Sequence, residues 1–148
     1  ELWELRTYYR LRELIRSLKL EANVVFVGRV AADALPNYYN LADALVHLSL
    51  WGEGFGQTCL EAEASRIPVV CTPIFRETGV VTDETAIIVN GESPAQVAEA
   101  ILKLLRDGSL RERIGHNGRR YATSFAWDAT CRKIAEIIHE VACSISDR

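Results

Sequence analysis

Apolar and polar positions alternate with two different periods along this chain, and the change of period divides it. Leu2, Leu5, Leu11, Leu14, Ile15 and Leu18 recur at helical spacing with Arg and Glu between them, which predicts an amphipathic helix from about Leu2 to Leu18 packed on one side of a sheet. Four short β-rich runs follow: NVVFVG (Asn23 to Gly28), ALVHLSL (Ala44 to Leu50), IPVVCT (Ile67 to Thr72) and TAIIVN (Thr85 to Asn90). None alternates strictly, as expected of strands covered on both faces. Helical stretches are expected between them at Leu35 to Ala42, Gly56 to Ser65 and Arg76 to Val80. Strand and helix in alternation predict a parallel sheet with right-handed crossovers.

After Asn90 only the helical period remains. SPAQVAEAILKLLRD, SLRERIGHNGRRYATS and AWDATCRKIAEIIHEVA predict three consecutive helices. Ser93 with Pro94, and Ser109, are expected helix starts, and Gly108 a stop.

Composition narrows what such a fold does. A chain of 148 residues, nearly half of them apolar, forms one domain with a real core, and its net charge of −3 gives no general attraction for nucleic acid. Cys59, Cys71, Cys131 and Cys143 are widely spaced without a CxxC pair, so neither a zinc site nor a disulfide framework is indicated. Reduced thiols and a cytoplasmic location are the expectation. No apolar run approaches the roughly 20 residues of a membrane span.

The candidate chemistry lies in WGEGFGQTCLEAEASRIPVV, Trp51 to Val70. Open parallel sheets bind ligands at the carboxyl ends of their strands. Here HLSL is the strand, Trp51 to Phe55 the loop, and Gly56 or Gln57 begins a helix whose free N–H groups favour an anion. Gly54 and Gly56 leave that backbone open to close approach. Phosphate is expected against the Gly56 to Thr58 amides. Glu53 in the loop and Glu61 more than one turn into the helix must then serve other groups, and vicinal hydroxyls are a carboxylate's natural neutral partner. The geometry suits a sugar, a diphosphate and a ribose in line.

These residues resemble the Glu, seven residues, Glu motif of retaining nucleotide-sugar glycosyltransferases with the GT-B fold, the large family four, or glycosyl transferases group 1. VVFVGRV, LPNYYNLADALVHLS, IPVVCTPIFRETGVV, NGESPAQVAEAILKLL and SFAWD also follow the family's order. The resemblance implies an α/β fold: a Rossmann-like parallel sheet with flanking helices, one half of a GT-B fold, ending in a helical C-terminal segment. It implies that Glu53, the catalytic candidate, contacts donor-sugar hydroxyls. Gly54 belongs to the substrate-binding loop; Phe55, Gly56, Gln57 and Thr58 offer amides to sugar and diphosphate; and Glu61 holds the ribose. Gly28, Arg29 and Val30 match the segment beside the nucleobase.

By the same resemblance, no metal or other cofactor is needed, and leaving-group charge is met by protein donors with an Arg/Lys pair. Residues 1–148 then form a nucleotide-sugar-binding domain without its first strand, its Arg/Lys pair and the N-terminal acceptor domain. The uncovered sheet edge favours self-association. The resemblance implies a UDP- or GDP-linked hexose donor, and no nucleic-acid partner is expected.

A non-catalytic binding or assembly module of the same fold is the alternative, and an unrelated Rossmann-like nucleotide domain a third reading. The third lacks its GxGxxG after the first strand. Outside the motif, His47 is expected as a core or lining residue, Trp51 as packing at the cleft rim, and Glu63 as a surface acid. His116, His139 and the arginines at 6, 10, 12, 16, 111, 113, 119 and 120 are expected on solvated helix faces.

Overall fold

A computed structural model describes residues 2–146, with side chains from 5 to 144. The chain divides into two units, residues 1–32 and 33–148.

The first unit holds helix α1, Leu2–Ser17. Leu5, Leu11, Leu14 and Leu18 are all exposed, and the packing expected of Leu2 lies outside the described side chains. Tyr8 sets its ring edge against Phe26 with centroids 5.0 Å apart, and Arg12 lies over the Tyr8 ring. NVVFVG does not form the expected strand: residues 24–31 are irregular, and Val25 is 81% exposed. Val and Phe give the run its β-propensity, but a strand also needs a ladder partner, and no other extended segment occurs among the described residues of this unit.

The second unit begins with α2, Leu35–Leu41, and continues through β1 (Leu45–His47), α3 (Gln57–Ala64), β2 (Val69–Cys71), α4 (Ile74–Glu77) and β3 (Ala86–Ile88). Strands β1, β2 and β3 pair in that order, all parallel, with Leu45 opposite Val69 and Val69 opposite Ala86. The central strand is buried at every position, as continuous apolar runs demand.

Two cores flank this sheet. One gathers Cys59, Ala62, Val69, Phe75, Val80 and Val81; the other gathers Val70, Val89, Ala100, Leu104, Leu110 and Ile114. Val69 and Val70 thus face opposite layers, as the period of two requires.

Helices α5 (Pro94–Arg106), α6 (Gly108–Ala122) and α7 (Trp127–Ser146) complete the chain, with a 3₁₀ turn at Thr123–Phe125. Ser93 caps α5 as expected, accepting from the Gln96 N–H. The α5–α6 junction differs from expectation. Asp107, not Ser109, caps α6, accepting from the Leu110 N–H at 2.9 Å, and Gly108 is the helix's first residue rather than a stop. Asp107 serves as C-cap of one helix and N-cap of the next, so the turn needs no extra residue. Arg111 is not simply solvated: its Nη1 donates to the Leu104 carbonyl at 2.9 Å, closing the end of α5.

Glu63 departs furthest from expectation. It is fully buried on α3, and neither carboxylate oxygen has a hydrogen-bond partner. Glycines on α6 allow the close packing that buries it. A Cβ at Gly115 would collide with the Arg66 carbonyl, and one at Gly118 would lie 3.1 Å from Glu63 Cγ. Burial pushes the Glu63 carboxyl up to about 7, and the nearby Thr85 hydroxyl offsets only part of that.

Candidate functional site

The loop from β1 to α3 opens at the carboxyl end of the sheet, where parallel strands present their ligand sites. Its exit is Gly56, the N-cap of α3, at φ +89°. A side chain there would be strained, and its Cβ would meet Phe75 Cδ1 at 2.8 Å and Val80 Cγ1 at 3.0 Å. Glycine is therefore required on conformation and on space together. No side chain caps α3, and the first bond back to Gly56 comes from the Cys59 N–H at 3.0 Å. The Gln57 and Thr58 amides are left without an intrahelical acceptor, at the positive end of the helix dipole.

Three attachments hold this loop and its neighbours. Thr72 donates to the Ser49 carbonyl at 2.6 Å, tying the loop after β1 to the one after β2. Thr78 Oγ1 lies 3.3 Å from the Phe55 carbonyl and 3.0 Å from that of Phe75. The Phe55 ring packs on Phe125 with centroids 5.6 Å apart; Phe125 meets Tyr121 at 5.3 Å, and the Tyr121 hydroxyl donates to the Gly79 carbonyl at 2.8 Å. The helical C-terminal segment thereby supports the glycine loop from behind.

Glu53 is three-quarters buried and approaches His47, with Oε2 3.8 Å from Nε2. The other imidazole nitrogen faces the Cys59 thiol at 3.7 Å, and the ring lies against Phe75. His47 thus lines the site, as its place in an apolar strand suggested. Cys59 is no nucleophile, because burial pushes its thiol up to about 12 and keeps it protonated.

Glu61 is exposed on α3. Its Oε2 accepts a hydrogen bond from the Tyr39 hydroxyl at 2.9 Å, a contact that sequence reasoning missed. A tyrosine followed by Asn40 and Leu41 on a short helix carries no local signal of a partner 22 residues away. Phe75, Thr78 and Phe125 were missed for the same reason.

The structure therefore gathers Glu53, Gly54, Phe55, Gly56, Gln57, Thr58 and Glu61 on one loop and helix start. Beside them a cleft of about 490 Å³ is lined by Ser49, Trp51, Thr72, Ile74 and Asn90. Trp51 stands at its rim but is 85% exposed, so it packs little. Gly28, Arg29 and Val30 lie in the first unit: Gly28 has φ +74°, Arg29 is exposed and Val30 half-buried. A second concavity, of about 340 Å³, involves Asp43, Arg66, Arg111 and His116 near the amino ends of β1 and β2. It has neither a glycine turn nor a free helix start. No group of three or more metal-ligating side chains occurs among the described residues, and no helix described is long and apolar enough to cross a membrane.

Comparison with known proteins decides what this arrangement belongs to. The family described as glycosyl transferases group 1 matches residues 6–121. The chain belongs to that family. A D-inositol 3-phosphate glycosyltransferase of Salinispora arenicola is 34% identical over 135 residues, covering 90% of this chain and 30% of the relative. A GDP-mannose-dependent alpha-(1-6)-phosphatidylinositol monomannoside mannosyltransferase of Mycobacterium tuberculosis is 31% identical, covering 86% of this chain and 35% of the relative. Among solved structures, sucrose-phosphate synthase from Thermosynechococcus elongatus superposes with a TM-score of 0.80 at 27% identity, covering 92% of this chain and 34% of that one. This group 1 glycosyltransferase chain has the GT-B type of α/β architecture, and it spans about a third of the length of these relatives.

Proposed function

We propose that the chain is the donor-binding half of a retaining glycosyltransferase, one that moves a hexose from a UDP- or GDP-linked donor to an acceptor held by other parts of the protein. The observation that carries this reading is the uncapped start of α3 at Gly56, flanked by Glu53 on the loop and Glu61 on the helix. The Phe55 to Thr58 amides take the sugar and diphosphate, with Gly54 leaving room for their approach. Glu53 accepts from hydroxyls of the transferred sugar, and Glu61 from those of the ribose.

Developing negative charge on the leaving diphosphate is met by preorganised N–H groups and the helix dipole, so the chemistry runs without a resident metal. The sequence resemblance supports retention of configuration at the transferred carbon, and the naming of one relative as GDP-mannose-dependent supports a nucleotide-linked hexose.

Calorimetric titration of Glu53→Gln tests the reading. Affinity for the intact nucleotide-sugar should fall roughly ten- to a hundredfold, the value of a bond to a charged acceptor, while the bare nucleoside diphosphate binds as before. Equal losses for both ligands would remove Glu53 from the sugar.

A further inference from the structure

We propose that Tyr39 is a positioning residue for ribose recognition, its hydroxyl holding the Glu61 carboxylate in the orientation that receives the 2′- and 3′-hydroxyls of a nucleotide. The inference rests on the assignment of Glu61 to the ribose and adds to it the group that makes that carboxylate selective.

Glu61 is an exposed side chain with three rotatable bonds, and a carboxylate free to turn must be immobilised by each ligand it binds. Tyr39 removes much of that freedom beforehand. Tyr39, only 9% exposed as a residue, packs within the core that also holds Cys59 and Ala62, so the hydroxyl is held in place. From there it reaches Oε2 at 2.9 Å, with the Thr58 carbonyl a poorer acceptor at 3.4 Å.

One proton is donated to one oxygen. Oε1 and the second lone pair of Oε2 remain for a vicinal diol, which offers two donors. Burial, and then the Glu61 carboxylate itself, push the phenol well above its ordinary value, so it remains a donor throughout the pH range in which the fold operates. The hydroxyl thus links α2 to the Glu61 side chain on α3, at the rim where ligand is expected.

The test is calorimetric titration of the full chain, Tyr39→Phe, Glu61→Gln and the double variant with UDP, GDP and their 2′-deoxy analogues. Phe keeps the ring and loses one oxygen, and thermal unfolding reports whether the fold is retained. Tyr39→Phe should weaken whichever ribonucleotide binds by roughly five- to tenfold and its 2′-deoxy analogue by less than about twofold. The double variant should lose no more than Glu61→Gln alone, because Tyr39 acts through Glu61. If Glu61→Gln discriminates ribose from deoxyribose and Tyr39→Phe does not, the positioning role is overturned while the ribose assignment stands. If Glu61→Gln affects both sugars equally, or neither diphosphate binds the wild-type chain, the ribose assignment falls and the positioning role with it.

Discussion

Gly118 on α6 lies against Glu63 on α3, so close that a methyl group there would come within 3.1 Å of Cγ and 3.2 Å of Cβ of the glutamate. An acid is enclosed where two helices touch, about two turns along α3 from Gly56, with the Thr85 hydroxyl nearby but no hydrogen bond made by either oxygen. Such a group is tolerated only by taking up a proton. With its carboxyl raised from about 4.5 to about 7, the folded state binds that proton more tightly than the unfolded chain.

Stability from this source is therefore fully present below pH 4.5 and is lost as pH rises towards 7. Glu63→Met fills a similar volume without the charge. Chemical denaturation should show the variant gaining on wild type by roughly 2–3 kcal/mol more at pH 8 than at pH 5. Parallel stability curves across that range would mean that Glu63 has a polar partner in solution.

Gly56 and Gly54 stand two residues apart and should respond in opposite ways. Gly56→Ala must adopt φ +89° and push against the fully buried Phe75 and Val80. A loss of roughly 2–4 kcal/mol in urea unfolding is expected. Gly54 has no atom within 4 Å of an added Cβ and no positive φ, so Gly54→Ala should change stability by less than about 0.5 kcal/mol while weakening nucleotide binding. A stable Gly56→Ala variant would show that the start of α3 can rearrange.

Legibility in the sequence followed the range of the interactions. The start of α5 could be read because Ser93, Pro94 and the apolar period of the helix are all local. The β1 to α3 motif could be read because glycines and carboxylates at fixed offsets bear directly on one turn. Val24 to Val27 misled because β-propensity says nothing about whether a ladder partner exists. Glu63 misled because an acid two residues from Glu61 defaults to solvent, and only two glycines more than 50 residues later bring a helix over it. Tyr39 gave no local sign, since its meaning lies entirely in what α3 places beside it.

Metal removal probes how the leaving diphosphate is stabilised. If backbone N–H groups and the α3 dipole meet that charge, sugar transfer by the whole protein should be unchanged by excess EDTA. Loss of turnover in chelator, restored by Mg²⁺ or Mn²⁺, would assign that role to a cation instead.

The last prediction concerns the support behind the loop. Phe125, from the SFAWD motif, touches both Phe55 on the glycine loop and Tyr121 on α6. Each such ring pair is worth about 0.5–1.5 kcal/mol beyond its buried area. Phe55 is itself 44% exposed, so little else pins it from outside. Phe125→Ala should therefore release the loop before it unfolds the domain: exchange of the Gly54 to Gly56 amides should quicken by tenfold or more, on the order of the lost ring pairs. Amides of the fully buried β2 should slow or quicken only with global stability. Because the freed loop must be ordered again by ligand, nucleotide-sugar affinity should drop several-fold, and Phe125→Leu, which keeps apolar contact, should recover part of it. Loop exchange unchanged in Phe125→Ala, or rising only in step with β2, would show that Phe125 contributes to the core and not to the site.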